Sequence, residues 1–164
     1  MTIRRLAAEI EYSQPVIYSH FSSREDIVAA VALSGFRELS QHLQAAANVD
    51  AFKALSDTAT AYLDFASGKP AVYAAMFVMP TRLRFAADDT PAELRAGFDC
   101  IAKAVAPFCK DAGLAAEAFW SALHGMAELE RAGRIPAKQR SERIALVVSV
   151  VSRAHTHAAV GGKV

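Results

Sequence analysis

Thr2-Ile-Arg-Arg-Leu-Ala-Ala-Glu-Ile-Glu-Tyr-Ser-Gln-Pro-Val-Ile-Tyr-Ser-His-Phe-Ser-Ser-Arg-Glu-Asp-Ile27 is the stretch whose reading decides the fold. Thr2 can cap a helix to about Ile10 that places Ile3, Leu6 and Ile10 on one face. Glu11 and Tyr12 break it. Ser13 then caps a second, very short helix from Gln14 to His20, with Pro15 in its first turn, where a missing N–H costs nothing. Ile17 and Phe21, four apart, form its inward face, so Gln14, Pro15 and Tyr18 project outward together. Two short helices joined by a break of a few residues have the form of a helix-turn-helix.

Those side chains are chemically suited to reading a duplex. The Gln14 amide can offer donor and acceptor to adenine, and Arg4 can pair bidentately with guanine in the major groove. Tyr18, His20 and Arg24 are long enough to reach flanking phosphates. In residue types and register the segment resembles the DNA-binding motif of TetR-type regulators: the Leu6-Ala7 pair, Ser13 at the helix start, Ile17-Tyr18 with Phe21, and basic Arg24 opening the next helix. The resemblance implies base contacts from Arg4, Gln14 and Pro15, with Tyr18 near base and backbone, and phosphate contacts from Thr2, His20 and Arg24. Ser13 belongs to the same contact set. Family members carry a further helix before the position where this sequence starts, so an N-terminally incomplete head is expected. Glu11 stands where the family usually has Gly, and Val16 where a small hydroxyl residue is frequent.

Outward from this stretch the pattern stays helical. Spacings of three and four recur, and alternation bounded by turn dipeptides is nearly absent. A third helix restarts at Ser22 or Ser23, with Glu25 and Asp26 near its positive end, and runs to about Ala47. Asp50 caps a helix over 51–67 that stops at Gly68. Pro70 opens another that ends before Pro80. Residues 80–90 read as a loop, after which Thr90 and Pro91 start a helix to about Ala112, kinked or split at Pro107 and closed by Gly113. Helices over about 115–132 and 137–158 follow, separated by Ala132-Gly-Arg-Ile-Pro136, and the tail should fray. The expected fold is all-α: a helix-turn-helix head with its connecting helix over 1–47, then a helical-bundle body over 48–164 for ligand binding and dimerisation.

Composition narrows the function. Of 164 residues, 53% are hydrophobic and the net charge is +1, so nothing advertises a nucleic-acid partner through bulk charge. Residues 1–48 hold four arginines (Arg4, Arg5, Arg24, Arg37) against five acids (Glu9, Glu11, Glu25, Asp26, Glu38). Placement of a few groups at one surface then has to carry DNA contact. No apolar run reaches the roughly 18 to 20 residues of a membrane span, and no secretory signal opens the sequence, so a cytoplasmic protein is expected. Cys100 and Cys109, nine apart in one helical stretch, would lie on opposite faces and could not pair. No spacing argues for a nucleophile and base, a paired acid or a metal cluster, and His155 and His157 point different ways on a helix. Neither enzyme chemistry, cofactor nor metal is expected.

The body also resembles a C-terminal effector domain of the same family, through Trp120-Ser-Ala-Leu-His-Gly125 and, less specifically, Tyr73-Ala-Ala-Met-Phe77. Candidate cavity walls are Tyr62, Phe65, Tyr73, Met76, Phe77, Met79, Phe98, Ile101, Phe119, Trp120 and His124, a lining suited to a flat or apolar effector. Core packing explains the same residues as well. Arg82 and Arg84 could attract an anion or simply be solvated. Met126, Leu129, Ile144, Val147, Val148 and Val151 form apolar stripes on the last two helices. In the family these helices from two subunits make a four-helix interface; alternatively the stripe faces its own core. The reading is a homodimeric, ligand-responsive repressor of palindromic operator DNA. Its rival is a helical small-molecule-binding or structural dimer without effective DNA binding, because the first helix is missing.

Overall fold

A computed structural model describes residues 21–80, 83 and 90–158. Among these, all regular structure is helical: α1 Arg24–Ala45, α2 Ala51–Gly68, α3 Pro70–Phe77, α4 Ala92–Val105, α5 Ala112–Arg131 and α6 Arg140–Ala158, with 3-10 turns at Ala106–Phe108 and Ala137–Gln139. The two helices read over Thr2 to His20 lie outside the described residues.

Local chemistry sets the helix boundaries. Ser23 caps α1, its hydroxyl accepting from the Asp26 amide at 3.1 Å, and Glu25 and Asp26 occupy the positive first turn. Asp50 caps α2 through the Lys53 amide at 2.7 Å. Pro70 starts α3 where its absent N–H has no bond to make.

The helix expected from Pro91 to about Ala112 instead stops at Val105, and a 3-10 turn carries the chain through Pro107. The proline ring cannot donate to the ladder and clashes with the preceding turn, so the helix ends rather than kinks. α4 starts after Pro91 with no side-chain cap bond, and Asp111 caps α5, accepting from the Leu114 amide at 3.0 Å. Gly113 is accordingly a first-turn residue of α5 and closes nothing. Cys109 lies in extended backbone after the 3-10 turn, so the two cysteines, both free and half-buried, do not share a helix.

α5 ends in a Schellman motif. Gly133 takes a left-handed φ of 65°, its amide bonds to the Glu130 carbonyl at 2.9 Å, and the Arg134 amide reaches the Leu129 carbonyl at 2.8 Å. The turn is held by Glu130, which accepts from Arg140 Nε at 2.9 Å and Arg143 Nη2 at 2.6 Å.

One core joins the helices. α1 packs along α3 and α4, α4 along α5, and α2 touches α1, α4, α5 and α6. The buried face of α1, from Ile27 and Val28 through Ala32, Phe36 and Leu39 to Leu43, keeps helical spacing along almost its whole length. At its middle, Gly35 lets α3 approach until Met76 and Val72 occupy the space of a side chain. Two ion pairs from neighbouring α1 residues reinforce these contacts: Arg37 with Glu93 of α4 at 3.2 Å, and Glu38 with Lys69 at the α2–α3 junction.

Candidate effector cavity and nucleic-acid interface

The packing of α1, α4 and α5 leaves a cavity of about 470 Å³. Phe36 and Leu39 of α1, Tyr62 of α2, Phe77 of α3, Leu94, Phe98 and Ile101 of α4 and Trp120 of α5 form its apolar wall. Arg95, Asp99, Glu117 and Ser121, all exposed, also line it, together with Thr90 and the buried Gly97. Phe77 sits edge-on to Phe36, with ring centres 5.2 Å apart, and tilts against Trp120 at 5.9 Å. Aromatic edges and faces dominate the wall, which suits ring-bearing or apolar molecules.

Behind this wall runs a buried polar chain. The Trp120 Nε1–H donates to the Tyr62 hydroxyl at 2.9 Å, the Tyr62 and Tyr73 hydroxyls share a bond at 2.8 Å, and the Tyr73 hydroxyl meets His124 Nδ1 at 2.7 Å. Its members come from α2, α3 and α5, so the chain fixes three helices at one point. Burial pushes the Tyr62 phenol up to about 12 and the Tyr73 phenol higher still, so both stay neutral. Burial also holds His124 below the ordinary histidine range, against the opposing pull of the Glu128 carboxylate. His124 is therefore uncharged near neutral pH, and an imidazole Nδ1 without a proton can accept from Tyr73.

Of the residues read from sequence as cavity candidates, Tyr62, Phe77, Phe98, Ile101 and Trp120 line the cavity. Tyr73 and His124 stand behind it in the polar chain. Phe65 and Phe119 are core residues, Phe65 packing against the His42 ring at 5.7 Å, and Met76 fills the α1–α3 contact. Arg82 and Arg84 lie outside the described residues. Phe36, Leu39 and Leu94 complete the wall without having been singled out. The signal for the first two was present: the apolar face of α1 is longer than a connecting rod needs.

The interface stripe divides. Met126, Ile144 and Val148 are buried by their own chain, Val147 and Val151 are half-buried, and Leu129 is exposed. The large apolar side chains that α5 and α6 leave exposed are Leu114, Leu129, Leu146 and Val150. Of the residues assigned to DNA, Arg24 is the exposed first residue of α1, and Thr2, Arg4, Ser13, Gln14, Pro15, Tyr18 and His20 lie outside the described residues. Among the described residues no group of three or more His, Cys, Asp or Glu could hold a metal ion, and no helix is long and apolar enough to cross a membrane.

The family model for the tetracyclin repressor-like C-terminal domain matches residues 55–154, and that for bacterial regulatory proteins of the tetR family matches residues 1–31. The chain belongs to the TetR family. Two solved structures are similar to it in fold. One is a protein of unknown function from Rhodococcus sp. RHA1, with TM-score 0.72, 25% identity, and coverage of 93% of this chain and 84% of that one. The other is a candidate regulatory protein, SCO4313, with TM-score 0.67, 21% identity, and coverage of 92% and 84%. No curated protein matches the sequence. In family terms, this chain joins an N-terminal DNA-binding region to a C-terminal regulatory domain.

Proposed function

We propose that the chain is a ligand-responsive repressor that binds palindromic operator DNA as a homodimer and leaves it when a small apolar or aromatic effector fills the cavity. The supporting observation is the continuity of α1. The N-terminal family match ends at residue 31, within α1, and the same helix supplies Phe36 and Leu39 to the cavity wall about one to two turns later. A molecule that displaces that wall tilts the helix on which the reading head is mounted.

Residues 1–47 serve as the head with its connecting helix, and 48–164 as the effector and dimerisation body. Thr2, Arg4, Ser13, Gln14, Pro15, Tyr18, His20 and Arg24 supply the contacts, with Arg4, Gln14 and Pro15 on bases, Tyr18 near base and backbone, and Thr2, His20 and Arg24 fixing register on phosphates. Dimerisation through the outward faces of α5 and α6 presents two heads to two half-sites. Effector shifts the population toward a head spacing that fits the operator less well, by as much as its affinity differs between the two states.

A mobility-shift titration on DNA upstream of the protein's own gene tests this. Specific binding should fall steeply with salt, and Gln14→Ala should weaken discrimination between operator and random DNA more than it weakens binding to random DNA. Absence of any shift would leave a ligand-binding helical dimer and sink the repressor reading.

A further inference from the structure

Gly35 and Gly97 are both buried inside helices, and their surroundings differ. At Gly35 the space of a side chain is already taken by Met76 and Val72. Gly97 lies mid-way along α4, and apart from its own helix backbone nothing stands within 4 Å of where its Cβ would be. Glycine in a helix interior is disfavoured against alanine, because it gives up more conformational freedom on folding. The usual reasons to keep it are missing here. Gly97 is helical, the positive-φ glycine among the described residues being Gly133, and no neighbouring element crosses close to it. What borders Gly97 is the cavity. Leu94, Gly97, Phe98 and Ile101 line it at spacings of three, four and seven, which is one face of α4. Gly97 is therefore a notch in that row, bounded by Leu94 and Ile101, which are about 10 Å apart along the axis.

We propose that Gly97 determines the specificity of the cavity: a flat, uncharged, multi-ring aromatic ligand sets one edge into the notch against the α4 backbone, and the missing side chain fixes the largest ligand accepted. This rests on the effector reading of the cavity and adds the ligand's chemical class and the residue that limits its size. A notch one side chain deep admits the thin edge of a ring and turns away the girth of a saturated or branched group. Phe77, Phe98 and Trp120 line the same cavity and are only half-buried, so ring surface remains for stacking on the ligand's faces. The charged lining residues, Arg95, Asp99 and Glu117, are exposed and of both signs, and so favour no net charge in the ligand. A methyl group at position 97 would have opposite effects on the two states. It would favour the helix of the ligand-free protein and occupy the place where a large ligand comes closest to the backbone.

Displacement of N-phenyl-1-naphthylamine, a neutral dye that brightens in apolar surroundings, by naphthalene and by phenanthrene reads affinity and ligand size together. The parent should bind phenanthrene, with three fused rings, more tightly than naphthalene, with two. Gly97→Ala should weaken phenanthrene by about tenfold or more and naphthalene by less than about threefold, while raising the urea midpoint of the ligand-free protein. Gly97→Leu should abolish phenanthrene binding. Should that variant fail to fold, the alanine variant, expected to be more stable than the parent, still decides. Gly125→Ala is the control: this glycine is also inside a helix with nothing within 4 Å of its Cβ position, and it does not line the cavity. It should raise the urea midpoint and leave both ligands unchanged. Equal losses for the two ligands in Gly97→Ala, or none for either, overturn the notch while leaving the effector cavity standing. A lowered urea midpoint in Gly97→Ala assigns Gly97 to packing and overturns it too. Failure of the dye and both hydrocarbons to bind the parent counts against the effector cavity itself.

Discussion

A Cβ on Gly35 would stand 2.6 Å from the Met76 sulfur and equally close to a Val72 methyl, so the α1–α3 contact has no room for even the smallest side chain. Helix propensity alone would make Gly35→Ala stabilising by about 1 kcal/mol. Overpacking a filled contact costs about 1–3 kcal/mol and should win, because Met76 is itself buried and has little room to move. Urea unfolding of Gly35→Ala should therefore show a net loss, and Met76→Ala in the same chain should recover part of it. A stabilised Gly35→Ala would mean that α3 can shift freely along α1.

Removing one or the other partner of the Trp120–Tyr62 bond should have unequal effects. Tyr62→Phe strands the indole N–H, which can do nothing but donate, and should cost about 1–3 kcal/mol. Trp120→Phe leaves Tyr62 still donating to Tyr73 and abandons only a lone pair, so its polar cost should be smaller, with lost ring area added. Chemical denaturation followed by far-ultraviolet circular dichroism measures both variants on one scale.

The Trp120 and Tyr62 pairing also marks where sequence reading stops. The 3.6-residue periodicity and the caps at Ser23, Asp50 and Pro70 are local features, and helix boundaries could be read from them to within a few residues. The break at Pro107 was legible as a disturbance, but whether a proline kinks or ends a helix depends on the next cap, here Asp111. The aromatic residues of the cavity were legible as types. Their division into wall, polar chain and core was not, since Phe65 and Phe77 are equally apolar and only their neighbours on other helices separate them. Tyr62, Tyr73, Trp120 and His124 meet across separations of 11 to 58 positions through tertiary packing, which no spacing rule encodes. Phe36 and Leu39 were hidden by assigning their helix to a connecting role.

Glu130 should make stability depend on pH. Burial alone would raise its carboxyl, but hydrogen bonds from Arg140 and Arg143 outweigh burial and hold it below the usual carboxylate range. A folded-state value below the unfolded one, about 4.3, means that the stabilisation is fully present above that pH. It is lost as pH falls through the folded-state value. Glu130→Gln should cost about 2–4 kcal/mol at pH 7, because two guanidinium groups lose their shared anion. It should also flatten the pH dependence below pH 5. An unchanged slope in urea titrations across pH 7 to 3 would show that other carboxylates carry the acid sensitivity.

The outward face of α5 and α6 gives the last prediction, which bears on the proposed dimer. Leu146 is 68% exposed and Val150 72%, one turn apart on α6, and Leu129 is 46% exposed on α5. Large apolar side chains exposed singly are ordinary, but a group spread over two helices marks a surface that association would cover. The buried residues of the same helices, Ile144 and Val148, hold α6 to its own chain. Substitutions at the two sets should therefore separate folding from association. Leu146→Glu should leave the thermal midpoint of a dilute sample nearly unchanged and shift sedimentation equilibrium toward monomer. Val148→Ala should lower stability by about 1–3 kcal/mol while preserving the self-association of the folded fraction. Burial of a leucine and a valine from each partner is worth about 1.5–3 kcal/mol per side chain, so one introduced carboxylate on each side of a twofold contact should raise the dissociation constant by at least about tenfold. If Leu146→Glu sediments as the parent does, the proposed twofold contact lies elsewhere on the molecule.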